Sequence, residues 1–599
     1  MARRSRSKDR VRDEIFRQCR IRNYSITAEG LEYLRGLVRQ SENAAEGGFS
    51  FQEFSDYLEQ LLNAIDPQSL PPTLALSRDL LHNVTESLKT RETAGVHSYI
   101  RVVPIQDMPR LVSEASRRGV ANRKTPKTAD GGRGCMVSDL NSSLHSLAER
   151  LGLIRTIYEC HARDPVFASW CQFNPAIYPV VRGQALPPLT EIESIVSDGG
   201  AVCVLAVVSG VEREDIGGVD RLTCMLETPN ASLRADITDA QLMSDGYVVE
   251  GSVVLVQGTL VHNSTVFLAK YIALPPTEPR VPGRAHVMKE GIIDSFGGLS
   301  DPVTSAHLTD ITDLGVNSFS DTTTFVLSDV VLDTQAGRER LESLFDRLVD
   351  APMIPTVLVL CGNYLSPSTS PVWLRLGEYK EAFTWLAGLF SRFVDISNSS
   401  HVVFVPGPDD ATLSGDVLPR GPLPPAVSTD MLKEVLARCT MAHNPCRLRV
   451  LHREIVIHRD HTLASLRRHI IMDPHTPGAR VGGASTSPED TGMEVDEDEA
   501  QGTAELLCNT LLSQATLNPL PPRCRAVVGQ YHHAMSLYPL PHVVVLADAL
   551  PQFQRKINYP PEDTSCENTT SIVSPGSFAN GHFLVIFTDA PESCSLSEI

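Results

Sequence analysis

The sequence lacks paired cysteines and long apolar runs. Its 13 cysteines contain no C-x-x-C pair, which argues against a disulfide framework and against a zinc ribbon built from this chain. No apolar run approaches the roughly 18 residues that a bilayer span needs, and the first residues contain no apolar signal-peptide region. We therefore expect a soluble, intracellular protein with reduced cysteines, most of them small core residues.

Positive charge is scarce as well. The net charge is −19 at pH 7, so the chain as a whole lacks the basic footprint of a protein that grips nucleic acid by its phosphates. The first 22 residues are the exception, with nine Arg and Lys against three acidic residues. We interpret them as a solvated basic tail and first helix, with nuclear targeting or weak phosphate contact as the alternative.

The composition is that of a globular protein with several domains. A chain of 599 residues is too long for one hydrophobic core, and a prior of about 150 residues per domain predicts roughly three to five domains. Apolar residues make up 42% of the chain and charged residues 21%. Disorder is therefore expected only locally.

The first 92 residues have the apolar spacing of short helices. In the segment 48–67, GFSFQEFSDYLEQLLNAIDP, apolar residues such as Leu58 and Leu62 fall on one helical face. Ser50 and Glu53 have the spacing of a capping box at its start, and Thr27 is the expected cap of an earlier helix. Residues 1–92 are therefore predicted to form a helical amino-terminal domain, a compact bundle of about four short helices.

Residues 191–276 have the alternation of β-strands. The segment contains four or five apolar strand patterns separated by turn residues, with Gly251-Ser252 as an expected hairpin turn. A closed barrel of the oligonucleotide/oligosaccharide-binding (OB) type is the economical interpretation, because closure leaves no long exposed edge. Residues 93–190 are predicted to be a linker and a helical segment associated with the domain that follows the barrel.

The predicted barrel offers few groups for single-stranded nucleic acid, which OB folds bind through aromatic and basic side chains. We favour docking to a partner or to the rest of the chain over nucleic-acid binding. The side chains of these types on its strands are Arg221, Arg234, Tyr247, Phe267, Lys270 and Tyr271.

Residues 277–599 alternate strand and helix patterns, which predicts an α/β domain with a buried sheet. FVLSDVVLD at 325–333 is a buried-strand pattern that ends in an aspartate, Asp329. The alternation is interrupted at about 476–505 by a stretch that contains EDTGMEVDEDEA. This acidic stretch is predicted to be a disordered surface loop.

The strand ends of this domain resemble those of the metallophosphoesterase family. That family carries D-x-H, G-D-x-x-D, G-N-H-[DE] and G-H-x-H at the carboxyl ends of its strands, and these residues hold two metal ions. The corresponding strings here are S-D-V-V at 328–331, C-G-N-Y-L at 361–365, P-G-P-D-D at 406–410 and A-D-A-L at 547–550. The resemblance implies a calcineurin-like α/β sandwich.

Most of the metal ligands are missing from these strings. A two-metal site needs several carboxylates and imidazoles to offset the charge of its cations, and only the aspartate of the first string is kept. No metal or other cofactor is therefore expected. The degenerate positions are Asp329, Val331 for a histidine, Asn363 for the bridging aspartate, Pro408 and Asp409 for an Asn-His pair, and Asp548 and Leu550 for the last two histidines.

Two interpretations of the remaining aspartates stay open. Asp329, Asp409, Asp410 and Asp548 together supply oxygen ligands of the kind that one Mg²⁺ prefers. Lone aspartates at strand ends are, however, common helix caps and turn formers. We favour the second interpretation.

The whole chain resembles the B subunits of the replicative DNA polymerases, most of all the branch that belongs to DNA polymerase epsilon. The most specific pieces are SPGSFANGHFLVIF at 574–587 and the NPCR motif, Asn444, Pro445, Cys446 and Arg447. Other matching strings are LVLCGNYLS, VVFVPGPDD and LLSQATLNPLP. The implied fold is an α+β multidomain protein with a helical bundle, an OB-type barrel and a calcineurin-like domain without its metal ligands.

The resemblance also implies a function. Members of this family are non-catalytic accessory subunits that act in chromosomal DNA replication and repair in the nucleus. It implies that the phosphoesterase-like domain and the barrel bind the zinc-binding carboxyl-terminal domain of the catalytic subunit of DNA polymerase epsilon. It further implies that the helical bundle contacts the GINS part of the replicative helicase, with DNA contacted mainly indirectly. An active metal-dependent phosphoesterase and a direct single-strand DNA-binding OB protein remain the alternatives.

Overall fold

The computed structural model forms two compact units, Met1–Ser98 and Tyr99–Ile599. The described residues are 12, 15–20, 24–35, 58, 62, 75–76, 78, 81, 96–114, 119–122, 140–168, 185–197, 200–216, 219–261, 265–289, 296, 322–350, 353–412, 414–475, 497–558, 569–588 and 594–598. Strands are numbered β1–β24 along the chain, and the helices of the second unit α1–α9. Across these ranges, no helix has the length and apolarity of a membrane span.

The first unit contains helical residues at 15–20 and 28–35. Gly30 N donates to Thr27 Oγ1 at 3.1 Å, so the predicted cap is present. Leu58 and Leu62 are almost fully buried, at 0% and 1% exposure. A short parallel pair, β1 (Ser25–Ile26) and β2 (Ala75–Leu76), was not predicted. The expected capping box at Ser50 and Glu53 lies outside the described residues.

The second unit contains a closed five-stranded barrel, which confirms the predicted barrel. It closes because β11 pairs with both β6 and β12, and its interior is apolar. The strand order around the barrel is β6-β7-β8-β12-β11, and β9 extends the sheet beside β12. The strands are β6 (Val202–Ile216), β7 (Val219–Glu227), β8 (Ser232–Asp236), β9 (Gln241–Leu242), β11 (Val253–Leu260) and β12 (Val266–Ala273).

The predicted hairpin at Gly251-Ser252 is wrong. The strand before it, β10 (Val248–Val249), does not pair with β11 but runs antiparallel to β19 (Ile470–Met472), which lies more than 200 residues further along the chain. Gly251 has a φ of +83°, and a Cβ there would lie 2.8 Å from Pro521 Cδ. Glycine is therefore needed both for the backbone turn and for the close approach of the 519–521 segment.

Two six-stranded sheets form the α/β body. The first has the order β16-β15-β14-β13-β23-β24, with β13 to β16 parallel and β23 and β24 antiparallel to their neighbours. Its parallel strands are apolar on both faces, as expected of buried parallel strands. The strands are β13 (Thr323–Leu327), β14 (Val357–Cys361), β15 (His401–Val405), β16 (Cys439–Met441), β23 (His582–Phe587) and β24 (Cys594–Glu598).

The second sheet has the order β21-β22-β20-β18-β17-β3. Only β18, β20 and β22 are parallel, and β17, β3 and β21 run antiparallel to their neighbours. The strands are β3 (Ile100–Val103), β17 (Cys446–Val450), β18 (Arg453–His458), β20 (Val543–Leu546), β21 (Phe553–Asn558) and β22 (Thr569–Ser574).

The two sheets pack face to face through one apolar cluster. Val359 and Val403 of the first sheet share it with Ile457 and Val545 of the second. Two further clusters cover the outer faces, where helices pack on the sheets. The body is therefore a layered α/β/β/α structure, and the mixed α/β class is confirmed.

The helices surround the barrel and the body. In chain order they are α1 (Leu140–Cys160), α2 (Pro165–Ala168), α3 (Arg280–Lys289), α4 (Gln335–Asp350), α5 (Leu376–Arg392), α6 (Val394–Ser399), α7 (Thr429–Leu432), α8 (Thr462–Arg467) and α9 (Glu497–Ser513).

Two predicted segments differ from the structure. The segment 93–190 is more than linker and helix, because it supplies β3 to the second sheet and a hairpin of β4 (Leu111–Glu114) and β5 (Gly119–Asn122). The predicted disordered loop at 476–505 is wrong for 497–505, because α9 begins at Glu497. Alanine and leucine residues in EDEAQGTAELLCNTLLS favour this helix. Residues 476–496 lie outside the described residues.

Candidate site at the strand ends

Polar side chains gather where five strands of the two sheets end. Asp329 follows β13, Asn363 follows β14, Asp409 follows β15, Arg459 follows β18 and Asp548 follows β20. Carboxyl ends of parallel strands meet at one edge of a sheet, the usual location of ligand sites in α/β proteins. The face-to-face packing of the sheets brings the two edges together.

Arg459 occupies the centre of this group. Its Nη2 donates to Asp329 Oδ1 at 2.5 Å, its Nε to Gly362 O at 2.7 Å and its Nη1 to Ala547 O at 3.2 Å. The side chain is only 2% exposed. An arginine stays protonated in proteins, so a fixed positive charge lies among the strand ends where the family resemblance places metal ions.

Buried polar and charged side chains hold the backbone at Arg459 and the neighbouring Asp460. Asn444 of the NPCR motif accepts from Arg459 N at 3.1 Å and donates to Pro406 O at 2.9 Å. Arg420, fully buried, donates to Asp460 Oδ1 at 2.8 Å, and Arg525 binds both oxygens of Asp460 at 2.8 and 3.1 Å. Burial alone would raise the pKa of Asp460, but the cations around it lower that pKa to about 2.

Asp548 and Asp410 have the contacts of structural aspartates. Asp548 Oδ2 accepts from Leu463 N at 2.8 Å in the first turn of α8, the bond of a helix cap. Asp410 accepts from Tyr364 N, Gly407 N and Tyr379 Oη at 2.7 to 2.9 Å. Burial raises the pKa of both carboxyls despite these bonds.

Asn363 and Asp409 bond to each other across the two loops that carry them. Asn363 Nδ2 donates to Asp409 Oδ2 at 2.9 Å, and Asp409 N donates to Asn363 Oδ1 at 3.0 Å. The loops approach closely because Gly407 lacks a side chain, whose Cβ would lie 2.3 Å from Asn363 Oδ1. His461 Nε2 lies 3.8 Å from Asp409 Oδ2 and, with Asn363, lowers the pKa of this exposed aspartate.

The other predicted positions have no metal-binding atom at the centre. Val331 lies in the turn after β13, where its N–H donates to Asp329 O at 3.0 Å. Pro408 is half-buried beside Asp409. Leu550 is buried in the apolar cluster outside the second sheet.

The rest of the NPCR motif supports the second sheet. Pro445 follows Asn444 through a cis peptide bond, and Cys446 is buried between the sheets. Arg447 lies over the ring of Phe296, 5.3 Å from its centroid, and burial lowers its pKa to about 10. These residues contribute to packing, and only Asn444 contacts the strand-end centre.

The residues at 459–461 were absent from the predicted site. The signal for them was present, because IVIHRDH has the same form as FVLSD, an apolar strand followed at once by charged residues. The sequence does not reveal that an arginine of one sheet reaches an aspartate of the other, since 130 residues separate them.

The barrel's charged and aromatic side chains are largely engaged. Arg221 donates to Asp236 at 2.6 Å, and Arg234 pairs with Glu214. Tyr247 and Phe267 are buried, at 4% and 0% exposure. Lys270 lies over the ring of its neighbour Tyr271, 5.2 Å from its centroid. The barrel therefore presents little of the aromatic and basic surface that single strands need.

Comparison with known proteins shows a family similarity over the body. Residues 324–555, most of the α/β body and all five strand ends described above, match the family model for the B subunit of DNA polymerase alpha/epsilon.

Relatives of this polymerase B-subunit family extend the similarity beyond the body. The chain is 25% identical to DNA polymerase epsilon subunit 2 of Homo sapiens over 96% of both chains. It is 28% identical to the DNA polymerase epsilon B subunit of Arabidopsis thaliana over 69% of both chains. With the epsilon B subunit of Schizosaccharomyces pombe the identity is 24%, over 77% of this chain and 71% of the relative.

Proposed function

We propose that the chain is a non-catalytic accessory subunit of a DNA polymerase epsilon complex, acting in DNA replication and repair in the nucleus. The family match and the relatives named as epsilon subunits support the role. One observation supports the absence of catalysis: the guanidinium of Arg459 binds Asp329 and two carbonyl groups at the strand ends.

The body is a degenerate phosphoesterase of the calcineurin-like type. Two mixed sheets packed face to face, with helices outside and polar loops at the strand ends, support this assignment. A two-metal phosphoesterase needs ligands that neutralise its cations. Here Asp329 is neutralised by Arg459, Asp548 caps a helix and Asp410 holds a loop, so divalent ions would meet a fixed positive charge instead of available carboxylates.

The barrel is of the OB type and serves as a docking module. Support for the type comes from its order β6-β7-β8-β12-β11, in which only β8 and β12 are parallel. Support for docking comes from the engaged state of its arginines and the burial of its aromatics. Contact with DNA is therefore mainly indirect, through the partner.

The catalytic subunit of the polymerase is the partner of the body and the barrel, through its zinc-binding carboxyl-terminal domain. The body has an exposed apolar turn, which supports a partner-binding surface there. Trp373 is 72% and Leu374 is 71% exposed, next to Leu376 at 40%. Contiguous exposed apolar side chains mark protein interaction sites. The first unit contacts the GINS part of the replicative helicase, as the family resemblance implies.

Purification from cells tests the subunit role. The tagged full-length chain should recover a polymerase catalytic subunit as its largest stoichiometric partner. Trp373→Ser combined with Leu374→Ser should reduce that recovery, whereas Val394→Ser, also an exposed apolar residue at 55% exposure, should not. Recovery of the chain alone would contradict the role, and unchanged recovery with the double variant would place the partner elsewhere.

An assay with Mn²⁺ and a phosphodiester substrate tests the absence of catalysis. The wild-type chain should show no turnover. Turnover that is lost in Asp329→Ala and kept in Asp333→Ala would restore the phosphoesterase alternative. Asp333 is a fair control because it binds Ser366 and Arg375 away from Arg459.

Salt-dependent binding of single-stranded DNA tests the remaining alternative. Affinity in the sub-micromolar range with a steep salt slope would mean that the isolated chain neutralises several phosphates. We expect weak binding with a shallow slope.

A further inference from the structure

Three side chains with metal-binding atoms meet where the barrel joins the α/β body. Glu250 follows β10, His469 precedes β19 and Cys524 lies in the segment after α9. One ligand atom from each lies within 4.8 Å of the others, and all three residues are half-buried. Among the described residues, no other group of three or more His, Cys, Asp or Glu side chains has this spacing.

The backbone holds Glu250 and His469 as neighbours. Their strands run antiparallel, with Val249 opposite Ile470. The ladder continues one residue further, because Glu250 N donates to His469 O at 3.1 Å. The relative position of these two side chains is thus set by strand pairing.

The turn that carries Cys524 is anchored separately. Cys524 N donates to Pro521 O at 2.9 Å. The next residue, Arg525, binds Asp460 at 2.8 and 3.1 Å and Asp416 at 2.7 Å. The missing side chain of Gly251 lets this segment lie against β10. A preformed geometry of this kind lowers the entropic cost of binding an ion.

The carboxylate of Glu250 is already oriented. Its Oε1 accepts from the guanidinium of Arg523, and its Oε2 lies 3.4 Å from Cys524 Sγ. Metal-bound carboxylates are typically hydrogen-bonded on their outer side. Arg523 supplies that outer contact and directs the second oxygen toward the thiol.

We propose that Glu250, His469 and Cys524 bind one Zn²⁺ and that the ion fastens the barrel to the body. A thiolate, an imidazole and a carboxylate are ligands that zinc uses, whereas Mg²⁺ and Ca²⁺ select oxygen ligands alone. The thiol loses its proton to solvent on binding, so thiolate and carboxylate offset the two charges of the ion. Three protein ligands leave the fourth position of a tetrahedral Zn²⁺ open to water.

Metal content of the full-length chain tests the site. The chain is loaded with zinc sulfate, freed of excess ion by gel filtration and analysed by mass spectrometry for metals. Cys524→Ser should hold one zinc fewer per chain than the wild type. Cys160→Ser is the matched control, because Cys160 also lies beside an imidazole, 3.5 Å from His286 Nε2, but belongs to no three-ligand group in the described ranges. Equal zinc in the wild type and Cys524→Ser overturns the proposal.

The absorption spectrum of Co²⁺ bound to the wild-type chain gives a readout that does not require any variant to fold. Co²⁺ bound to a thiolate produces a near-ultraviolet charge-transfer band, and a tetrahedral site produces strong visible bands. Both should appear in the wild-type chain at one equivalent of Co²⁺ and disappear on adding zinc. They should persist in Cys160→Ser and be lost in Cys524→Ser. A wild-type spectrum without the charge-transfer band overturns the proposal.

Discussion

Arg459 Nη2 donates a hydrogen bond to Asp329 Oδ1 at 2.5 Å and so connects the end of β18 to the end of β13. These strands belong to different sheets. The same guanidinium binds the carbonyl groups of Gly362 and Ala547. One buried cation thus links four strand ends.

Removing this guanidinium should destabilise the body strongly. Arg459→Met is expected to lower the free energy of unfolding by about 3 to 5 kcal/mol, because Asp329 and two carbonyl groups lose their partner in a buried site. Urea unfolding of the full-length chain measures the change. Arg392→Met is the control, since Arg392 pairs with Glu342 at 2.5 Å on the surface, where such pairs contribute at most about 1 kcal/mol. Equal effects of the two variants would contradict the central role of Arg459.

A double-mutant cycle isolates the ion pair itself. Asp329→Asn and Arg459→Met together should cost less than the sum of the single changes, with an interaction energy of about 1 to 3 kcal/mol. Urea unfolding of the four proteins gives this energy. Strict additivity would mean that Arg459 acts through the carbonyl groups alone.

Asp548 is expected to behave as a helix cap. Asp548→Ala should lower the free energy of unfolding by about 1 kcal/mol, because Leu463 N at the start of α8 loses its acceptor. Asp548→Asn keeps an acceptor oxygen and should be neutral or stabilising at pH 7, since burial raises the pKa of this carboxyl and disfavours its charged form. Thermal unfolding measures both variants. A large loss with Asn and a small loss with Ala would contradict the cap.

Stability should fall in mild acid because of His458. This imidazole is buried at the end of β18, neither ring nitrogen has a hydrogen-bond partner among the described residues, and burial lowers its pKa from 6.5 to about 4. The unfolded chain therefore binds a proton below pH 6.5 that the folded chain does not. Stability is lost as the pH falls from about 6.5 to 4, by about 3 kcal/mol from this group.

A pH series of urea unfolding curves checks that loss. His458→Leu should show a smaller decrease in the free energy of unfolding between pH 6.5 and 4, and the exposed His475→Gln should keep the wild-type decrease. His533, whose pKa burial lowers to about 3, contributes in the same direction and remains in both variants. Asp460 contributes mainly below this window, because its pKa is 3.8 in the unfolded chain and about 2 in the folded protein. Identical slopes in His458→Leu and the wild type would contradict the assignment.

The sequence predicted the features that depend on local patterns. The strand alternation at 191–276 predicted the barrel, and the Thr27 cap was recognised from residue type alone. The strand ends at Asp329, Asn363, Asp409 and Asp548 were located from apolar runs that stop at a polar residue. Each of these signals spans only about ten residues, a range over which the local sequence pattern predicts secondary structure.

The features that were missed depend on distant partners. Gly251-Ser252 has the residues of a hairpin turn, but β10 pairs with β19, which lies more than 200 residues further along the chain. The strand β3 has a short apolar pattern, IRVV, whose role is decided by its pairing with β17. The contact of Arg459 with Asp329 arises only when two sheets face each other. The apolar periodicity of a sequence does not predict which distant segments pair.

A charged residue introduced into the core of the first unit should unfold that unit while the body stays folded. Leu62 is 1% exposed, and Leu58 and Leu81 of the same unit are buried as well. An unpaired carboxylate in such a site costs several kcal/mol or must be protonated. Leu62→Asp should therefore expose residues 1–98 to a protease at low concentration, while the fragment that begins near Tyr99 survives, because the chain forms two compact units. Arg78→Asp, a charge change at an exposed position of the same unit, is the control and should leave the digestion pattern unchanged. Native resistance of Leu62→Asp would show that Leu62 is not part of this core, and digestion of the body as well would show that the two units do not fold independently.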